Sequence, residues 1–332
     1  MTVAKKGGVS PGRDWYGKPY YSLDAWCKNT CGRKLYKVAL NAGCTCPNRD
    51  GTVGYGGCIF CSEGGSGDFA APAMPSVRAQ LEEGKKLLGA KWQPDPDAPG
   101  LIAYFQSYTN TYGDPDRLCR LFGEALGDPE TAGISVATRP DCLAEPILTG
   151  LDALKEQFPD KFIWIELGLQ TIHDRTAALI RRGYPTAVFE QAMDTLQKHG
   201  LPVIVHTILG LPGETRDDVL ATMNRLNRLN PFGVKLQLLH ILKGTPLAAL
   251  YSSGQVCALS REAYLDLVTD CIAVLSPDIC IHRVTGDGPR QLLIAPLWSL
   301  HKRDVLNGIH ACMKQKGIRQ GSHYESGTTD TL

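Results

Sequence analysis

CTCPNRDGTVGYGGCIFC, residues 44–61, sets three thiols, Cys46, Cys58 and Cys61, in a C-x11-C-x2-C arrangement on a glycine-rich loop. A soft iron or zinc centre is held by thiolates, and a two-residue gap lets Cys58 and Cys61 reach one metal or cluster without strain. The third ligand arrives from the wrapping loop, where Gly51, Gly54, Gly56 and Gly57 admit backbone angles closed to other residues and Pro47 stiffens the entry. Cys44 competes for that place. In an extended chain Cys44 and Cys46 face opposite ways, and Cys46, which leads directly into the loop, is favoured. A structural zinc site or an electron-transfer cluster closes its shell with a fourth Cys or His, so three thiolates leave a position open for substrate or cofactor. A loop with incidental buried thiols is the alternative, and it leaves both the paired spacing and the adjacent Phe60 as coincidence.

Outward from this loop, apolar β-rich runs alternate with amphipathic helices: Tyr36–Leu40, then 101–105, 134–137, 162–167, 203–209 and 234–239. Runs with little polar alternation suit strands covered on both faces, as in a parallel sheet or barrel. Phe189, Ala192, Met193 and Leu196 make one helix face, and Tyr264, Leu267, Val268 and Cys271 another. Before the first run, Ser22 caps a short helix that Gly32 ends, with Leu23, Trp26, Cys27 and Cys31 on its apolar side. Cys27 and Cys31 are therefore expected in the core rather than at a second metal. After the sixth run, IHRVTGDGPRQLLIAPLW (281–298) predicts a seventh strand and a closing cap, and a helix follows over about 302–316. The tail from Gly317 is expected to be disordered, and residues 64–67 and 93–100 to be mobile loops.

In a parallel α/β barrel, chemistry gathers where strands end. The second run exits into Gln106, Ser107, Tyr108, Thr109, Asn110 and Thr111, an unusually polar sequence. The third exits into Thr138, Arg139, Pro140 and Asp141; the fourth sets Glu166 and Gln170 around Gly168; the fifth carries His206 and then GLPGE (210–214); the sixth ends with His240 and Lys243. Each has a plainer use. Thr109 and Asn110 can cap a helix, Arg139 and Asp141 can pair in a surface turn, and His206 can be a satisfied core histidine. Their convergence on one face favours a site. Glu166 interrupts the apolar run FIWIEL, and a buried carboxylate demands a partner.

With 332 residues, 43% hydrophobic, 21% charged and a net charge of +1, the chain reads as a soluble globular protein with no overall demand for a polyanionic partner. Length allows two domains or one α/β barrel. The ends are basic: eight Lys and Arg against two Asp over residues 1–37, and five against one over residues 301–320. Such ends can touch phosphates or serve as solvated tails. The first fifteen residues lack the apolar segment of a secretory signal, and no apolar run is long enough for a membrane span. A cytoplasmic protein is expected, in which the twelve cysteines are metal ligands or buried residues rather than disulfides.

Seven stretches together resemble the radical S-adenosylmethionine (SAM) proteins, in the YhcC/YtqA-like branch related to the catalytic subunit of Elongator: 46–61, YFQSYTNTY (104–112), ATRPD (137–141), ELGLQT (166–171), RRGY (181–184), HTILGLPGE (206–214) and HRVTGDGPR (282–290). The resemblance spans roughly residues 20–309. It implies an α/β fold, a partial (β/α)6 TIM-like barrel with short N- and C-terminal extensions: an extension to residue 35, a core over 36–280 and a cap over 281–316. It further implies a 4Fe-4S cluster on Cys46, Cys58 and Cys61, with SAM on the fourth iron. Reductive cleavage of SAM then yields a 5′-deoxyadenosyl radical that abstracts hydrogen. For SAM contacts the resemblance nominates Phe60, with Gln106, Thr109 and Asn110 at the methionyl amine. Glu166 and Gln170 fall at the ribose or methionyl group, Arg182 at the carboxylate, and His206, Gly210 and Leu211 along the strand-five motif that lies against the adenine. RRGY departs from the related motif NRGH, and the eleven-residue cysteine gap is the branch's own.

The function expected is that of a radical SAM enzyme fed by reduced flavodoxin or ferredoxin. The Elongator resemblance and the basic ends favour tRNA, at a wobble uridine, as substrate; no room is expected for an acetyltransferase domain. A small metabolite or tetrapyrrole is the alternative substrate. A noncatalytic, zinc-holding RNA-binding or scaffold protein is the alternative from another class.

Overall fold

The six anticipated runs are all strands, three of them residue for residue. The structure, a computed structural model, describes residues 13–65, 76–92, 100–286 and 288–325. Along the chain lie α1 (Leu23–Cys31), β1 (Tyr36–Leu40), α2 (Val77–Leu88), β2 (Leu101–Phe105), α3 (Pro115–Gly127), β3 (Thr131–Thr138), α4 (Glu145–Gln157), β4 (Phe162–Gln170), α5 (Asp174–Leu179), α6 (Thr186–Lys198) and β5 (Val203–Leu209). There follow α7 (Arg216–Leu229), β6 (Gly233–Leu238), β7 (Ile241–Leu242), α8 (Pro246–Ser252), α9 (Arg261–Val274), β8 (Cys280–Arg283), β9 (Leu293–Ala295) and α10 (Lys302–Lys316). The main sheet runs β1-β2-β3-β4-β5-β6-β8, so strands join it in the order of synthesis. Two compact units divide the chain: one of Arg33–Gly168 and Arg181–Ile204, the other of Leu169–Ile180, the residues from Val205 onward and those up to Gly32.

In the first unit, β1 to β4 are paired in parallel, with Ala39 opposite Tyr104, Tyr104 opposite Ser135, Ser135 opposite Trp164 and Ala137 opposite Glu166. Alternation along a strand then separates two faces. Val38, Leu40, Ala103, Phe105, Ile134 and Val136 lie on one, buried. There α2 approaches so closely that a Cβ on Gly84 would strike Val38 Cγ1 at 2.1 Å, and the Phe105 ring meets Phe122 of α3 at 4.9 Å. The opposite face carries Lys37, Tyr104, Ser135, Trp164 and Glu166, an interior with charge in it. In α6 the four anticipated residues are the buried ones.

In the second unit, β6 and β8 are parallel, and α1 lies beside β8, where the Ile281 amide donates to the Tyr21 carbonyl at 2.7 Å. The Ser22 hydroxyl caps α1 through the Ala25 amide, and Gly32 ends it with a left-handed φ of 70°. Cys27 is buried as expected. Cys31 is only half-buried, because the fully covered positions are Ala25 and Cys27, one turn earlier. Cys271 is core, but Leu267 is half-buried and Leu265 takes its place under α9. The seventh strand is β8; β9 pairs antiparallel with β7 in a separate two-stranded sheet.

The expected disordered tail is folded through Glu325. Gln320 is buried, its Oε1 accepting from the Tyr21 amide and its Nε2 donating to the carbonyls of Ser276 and Ile279 at 2.7 and 2.8 Å. The rest of that tail, and most of the loops anticipated at 64–67 and 93–100, lie outside the described residues. Among the described residues no helix is long and apolar enough to cross a membrane.

Candidate active site

Pro47 and Asn48 are the hub of the cysteine loop. The Arg49 amide donates to the Cys46 carbonyl, the Val53 amide to Pro47 and the Gly57 amide to Asn48, each at 2.8 Å, before the Cys61 amide closes on Cys58 at 3.0 Å. Glycine is required at two of these positions. A Cβ at Gly54 would stand 2.5 Å from Asn48 Oδ1; Gly57 holds a φ of 80°, with Arg49 Nε 2.9 Å from where its Cβ would be. Asn48 Nδ2 donates to the Arg181 carbonyl at 2.6 Å and lies 3.7 Å from Cys58 Sγ. Arg49 donates to the carbonyls of Cys61, at 3.0 Å, and Ser62, and its guanidinium covers the Tyr108 ring.

Burial pushes the Cys58 thiol up to about 12, and negative charge on Cys61 or Cys46 pushes the same way, against Arg139 and the Asn48 hydrogen bond. All three thiols of the motif therefore share one electrostatic environment. Among the described residues, no three Cys, His, Asp or Glu side chains stand close enough to hold one metal ion. Cys44 faces elsewhere: Arg117 Nη2 is 3.9 Å from its sulfur, while Nη1 donates to the Ala42 carbonyl at 2.7 Å.

The polar turn after β2 runs alongside. Its Gln106 amide donates to the Leu40 carbonyl at 3.1 Å and its Thr109 amide to the Thr45 carbonyl at 3.2 Å, just before Cys46. Ser107 and Tyr108 hold φ of 85° and 59°, left-handed angles that cost non-glycine residues energy and cluster at functional sites. The Tyr108 hydroxyl donates to the Glu63 carbonyl, fastening the turn to the far limb of the cysteine loop. Asn110 spends Nδ2 on the carbonyls of Phe105, Ser107 and Ala137 at 3.3, 3.2 and 3.0 Å, and its Oδ1 is buried without a partner. A buried acceptor left unmade costs about 1–3 kcal/mol, so Oδ1 is suited to a ligand's donor.

Arg139 and Asp141 do pair, with Nε and Nη2 on the two carboxylate oxygens at 2.9 and 2.6 Å; the arginine of the pair is buried and the aspartate lies at the surface. Arg139 Nη1 also donates to the Arg182 carbonyl at 3.0 Å. Burial works to lower the Arg139 guanidinium, and Asp141 outweighs it and holds the group above its ordinary value. Arg182 is turned on its own loop, donating from Nε to the Tyr184 carbonyl at 3.0 Å and from Nη2 to Thr186 Oγ1 at 3.1 Å, with both arginines over the Tyr184 ring. Glu166, 1% exposed, has the partners its burial demands: Lys37 Nζ at 2.6 Å and Ser135 Oγ at 2.5 Å on Oε1. Phe60 is half-buried beside Cys61.

Gln170, His206, Gly210 and Leu211 belong to the second unit. There Gln170 ends β4 with a φ of 63°, Gly210 takes a φ of 87° against Leu259, and Leu211 is buried. Glu214 is raised by its burial, with the Thr171 hydroxyl donating to it at 2.5 Å. Sequence reading passed over Asn48, Arg49 and Lys37. The signal for Lys37 was a charge breaking the run YKVAL as Glu166 breaks FIWIEL; for Asn48 and Arg49, polar residues enclosed between the cysteines.

Two family models match the chain: the Radical SAM superfamily over residues 45–226 and the Radical_SAM C-terminal domain over residues 231–315. YtqA of Bacillus subtilis strain 168 is 41% identical over 308 residues, covering 93% of this chain and 94% of that protein. The tRNA uridine(34) acetyltransferase of Dehalococcoides mccartyi strain CBDB1 is 27% identical over 187 residues, 55% of this chain and 39% of that longer protein. Among solved structures, Elp3 of the archaeon Methanocaldococcus infernus superposes with a TM-score of 0.64, at 15% identity, over 86% of this chain and 64% of that one. The fold is thus the α/β partial barrel of the radical SAM type. With one family model spanning more than half of its residues and a relative 41% identical along nearly all of them, the chain belongs to the radical SAM superfamily and is a radical SAM enzyme.

Proposed function

We propose that Cys46, Cys58 and Cys61 hold a 4Fe-4S cluster and that the chain cleaves SAM reductively to take a hydrogen atom from tRNA, at or near a wobble uridine. The observation that carries the reading is the placement of the three-thiol loop against a strained polar turn, joined by the Thr109 amide on the Thr45 carbonyl, with the unpartnered Asn110 Oδ1 in that turn. When bound, the cluster supplies one electron and SAM the 5′-deoxyadenosyl group that takes up the hydrogen. Asn110 Oδ1 accepts from the methionyl ammonium, Gln106 and Thr109 line the same end, and Phe60 covers the cluster side. Arg182 and Arg139 hold the 181–184 turn in place. Gln170, His206, Gly210 and Leu211 serve the nucleoside end.

For tRNA, the support is the similarity to the Dehalococcoides tRNA uridine(34) acetyltransferase and the basic chain ends. Reduced flavodoxin or ferredoxin in the cytoplasm is the proposed electron source.

Anaerobic reconstitution with iron and sulfide tests the chemistry: dithionite and SAM are expected to give 5′-deoxyadenosine, and a chain that takes up only zinc and gives none overturns it. Nucleoside profiles of tRNA from cells with and without the gene test the substrate. A lost or altered uridine derivative is expected, and identical profiles overturn the tRNA assignment.

A further inference from the structure

Asn48 and Arg49 are consecutive, yet their side chains go to different cysteines of the C-x2-C pair, Asn48 to the Cys58 sulfur and Arg49 to the Cys61 carbonyl. Asn48 is buried, and which end of its amide is nitrogen is fixed by its neighbours. The Arg181 carbonyl, 2.6 Å away, can only accept, so the atom facing it is Nδ2, and the same Nδ2 lies 3.7 Å from Cys58 Sγ. Gly54 and Gly183 leave room on the Oδ1 side, where their Cβ atoms would stand at 2.5 and 3.3 Å. Arg49 is held beside Cys61 by the carbonyls of Cys61, at 3.0 Å, and Ser62 and by the Tyr108 ring, so its positive charge sits next to that residue. The pair thus has a neutral donor on the Cys58 sulfur and a cation on the Cys61 backbone.

We propose that Asn48 and Arg49 are positioning residues that set the reduction potential of the cluster, Asn48 by donating N–H to Cys58 Sγ and Arg49 by holding its positive charge at Cys61. The inference rests on the proposed cluster assignment. Adding one electron adds negative charge that the ligating sulfurs share, so a donor on a sulfur and a cation beside the pair stabilise the reduced state more than the oxidised one and raise the potential. Arg49, bringing a full positive charge, has the larger effect.

The test is a redox titration of the anaerobically reconstituted full chain, with dithionite and mediator dyes, followed by electron paramagnetic resonance and visible absorption. Asn48→Ala and Arg49→Met are expected to keep their iron and shift the midpoint to more negative potential, Arg49→Met further. Arg49→Lys, which keeps the charge, is expected to recover most of that shift. Should Asn48→Ala lose its cluster because the tie to Arg181 is gone, the Met and Lys variants of Arg49 decide. Variants with full iron and the wild-type midpoint overturn the proposal alone. A wild-type chain that assembles no cluster overturns the cluster assignment and the proposal with it.

Discussion

Lys37 of β1 and Glu166 of β4 meet at 2.6 Å on the charged face of the sheet, two strands removed from each other, with Ser135 of β3 on the same carboxylate oxygen. The Lys37 ammonium also lies 4.8 Å from the Tyr104 ring centre and 5.8 Å from that of Trp164. The pair therefore laces four strands together from inside.

Breaking that pair on one side strands a buried charge. Lys37→Met is expected to cost about 3–5 kcal/mol, because Glu166 is then buried without its cation. Replacing both, as Lys37→Met with Glu166→Gln, is expected to recover a substantial part. Urea denaturation of the single and double variants checks this; a single variant as stable as wild type would show that the pair is not what holds the strands.

Cluster loading should separate the cysteines cleanly. Replacement of Cys46, Cys58 or Cys61 by Ala is expected to abolish the visible absorption and the 5′-deoxyadenosine yield. Cys44→Ala, at a residue that faces Arg117, is expected to retain both. Iron and sulfide analysis alongside the spectra identifies the third ligand.

Gly54→Ala places a Cβ against Asn48 Oδ1. Displacing Asn48 is expected to cost about 1–3 kcal/mol locally and to lower iron per chain severalfold, with the far-ultraviolet circular dichroism unchanged. Iron content after reconstitution is the measurement.

Asp270 of α9 receives Arg216 Nε at 2.8 Å and Lys316 Nζ at 3.0 Å, joining α7, α9 and α10. Burial pushes its carboxyl up, but the two cations overcome that and hold it below its ordinary value of 3.8. The stability it contributes is thus present above pH 3.8 and lost as pH falls towards the depressed folded value. Asp270→Asn is expected to remove up to about 1 kcal/mol at neutral pH and correspondingly less in acid. Denaturation midpoints across pH 3 to 7, roughly the window in which carboxylates titrate, check the slope.

Strands and helices were legible because their signals are local. An unbroken apolar run such as Leu101–Phe105 needs no partner to be recognised, and Ser22 and Gly32 mark the ends of α1 by their own chemistry. Pairings were not legible. That Glu166 needs a cation follows from its run, but that Lys37 supplies it depends on the strand register, which no single stretch encodes. Nor was the hold on Arg182 legible: the motif marks its position, but not the Tyr184 carbonyl and Thr186 hydroxyl that engage its guanidinium. Gln320 was lost in a polar tail because the carbonyls that capture it, of Ser276 and Ile279, lie some forty residues upstream.

The bond between the Ile281 amide and the Tyr21 carbonyl has a consequence for biosynthesis. Strands β1 to β6 can each add beside the one before as the chain leaves the ribosome, whereas α1, made before any of them, has its seat on β8, about 250 residues later. A helix made before the sheet is docked only once β8 is in place. Until β8 emerges, Trp15, Tyr21 and Trp26 have no Cys280 to pack against, and the nascent chain carries their aromatic surface uncovered, where chaperones bind.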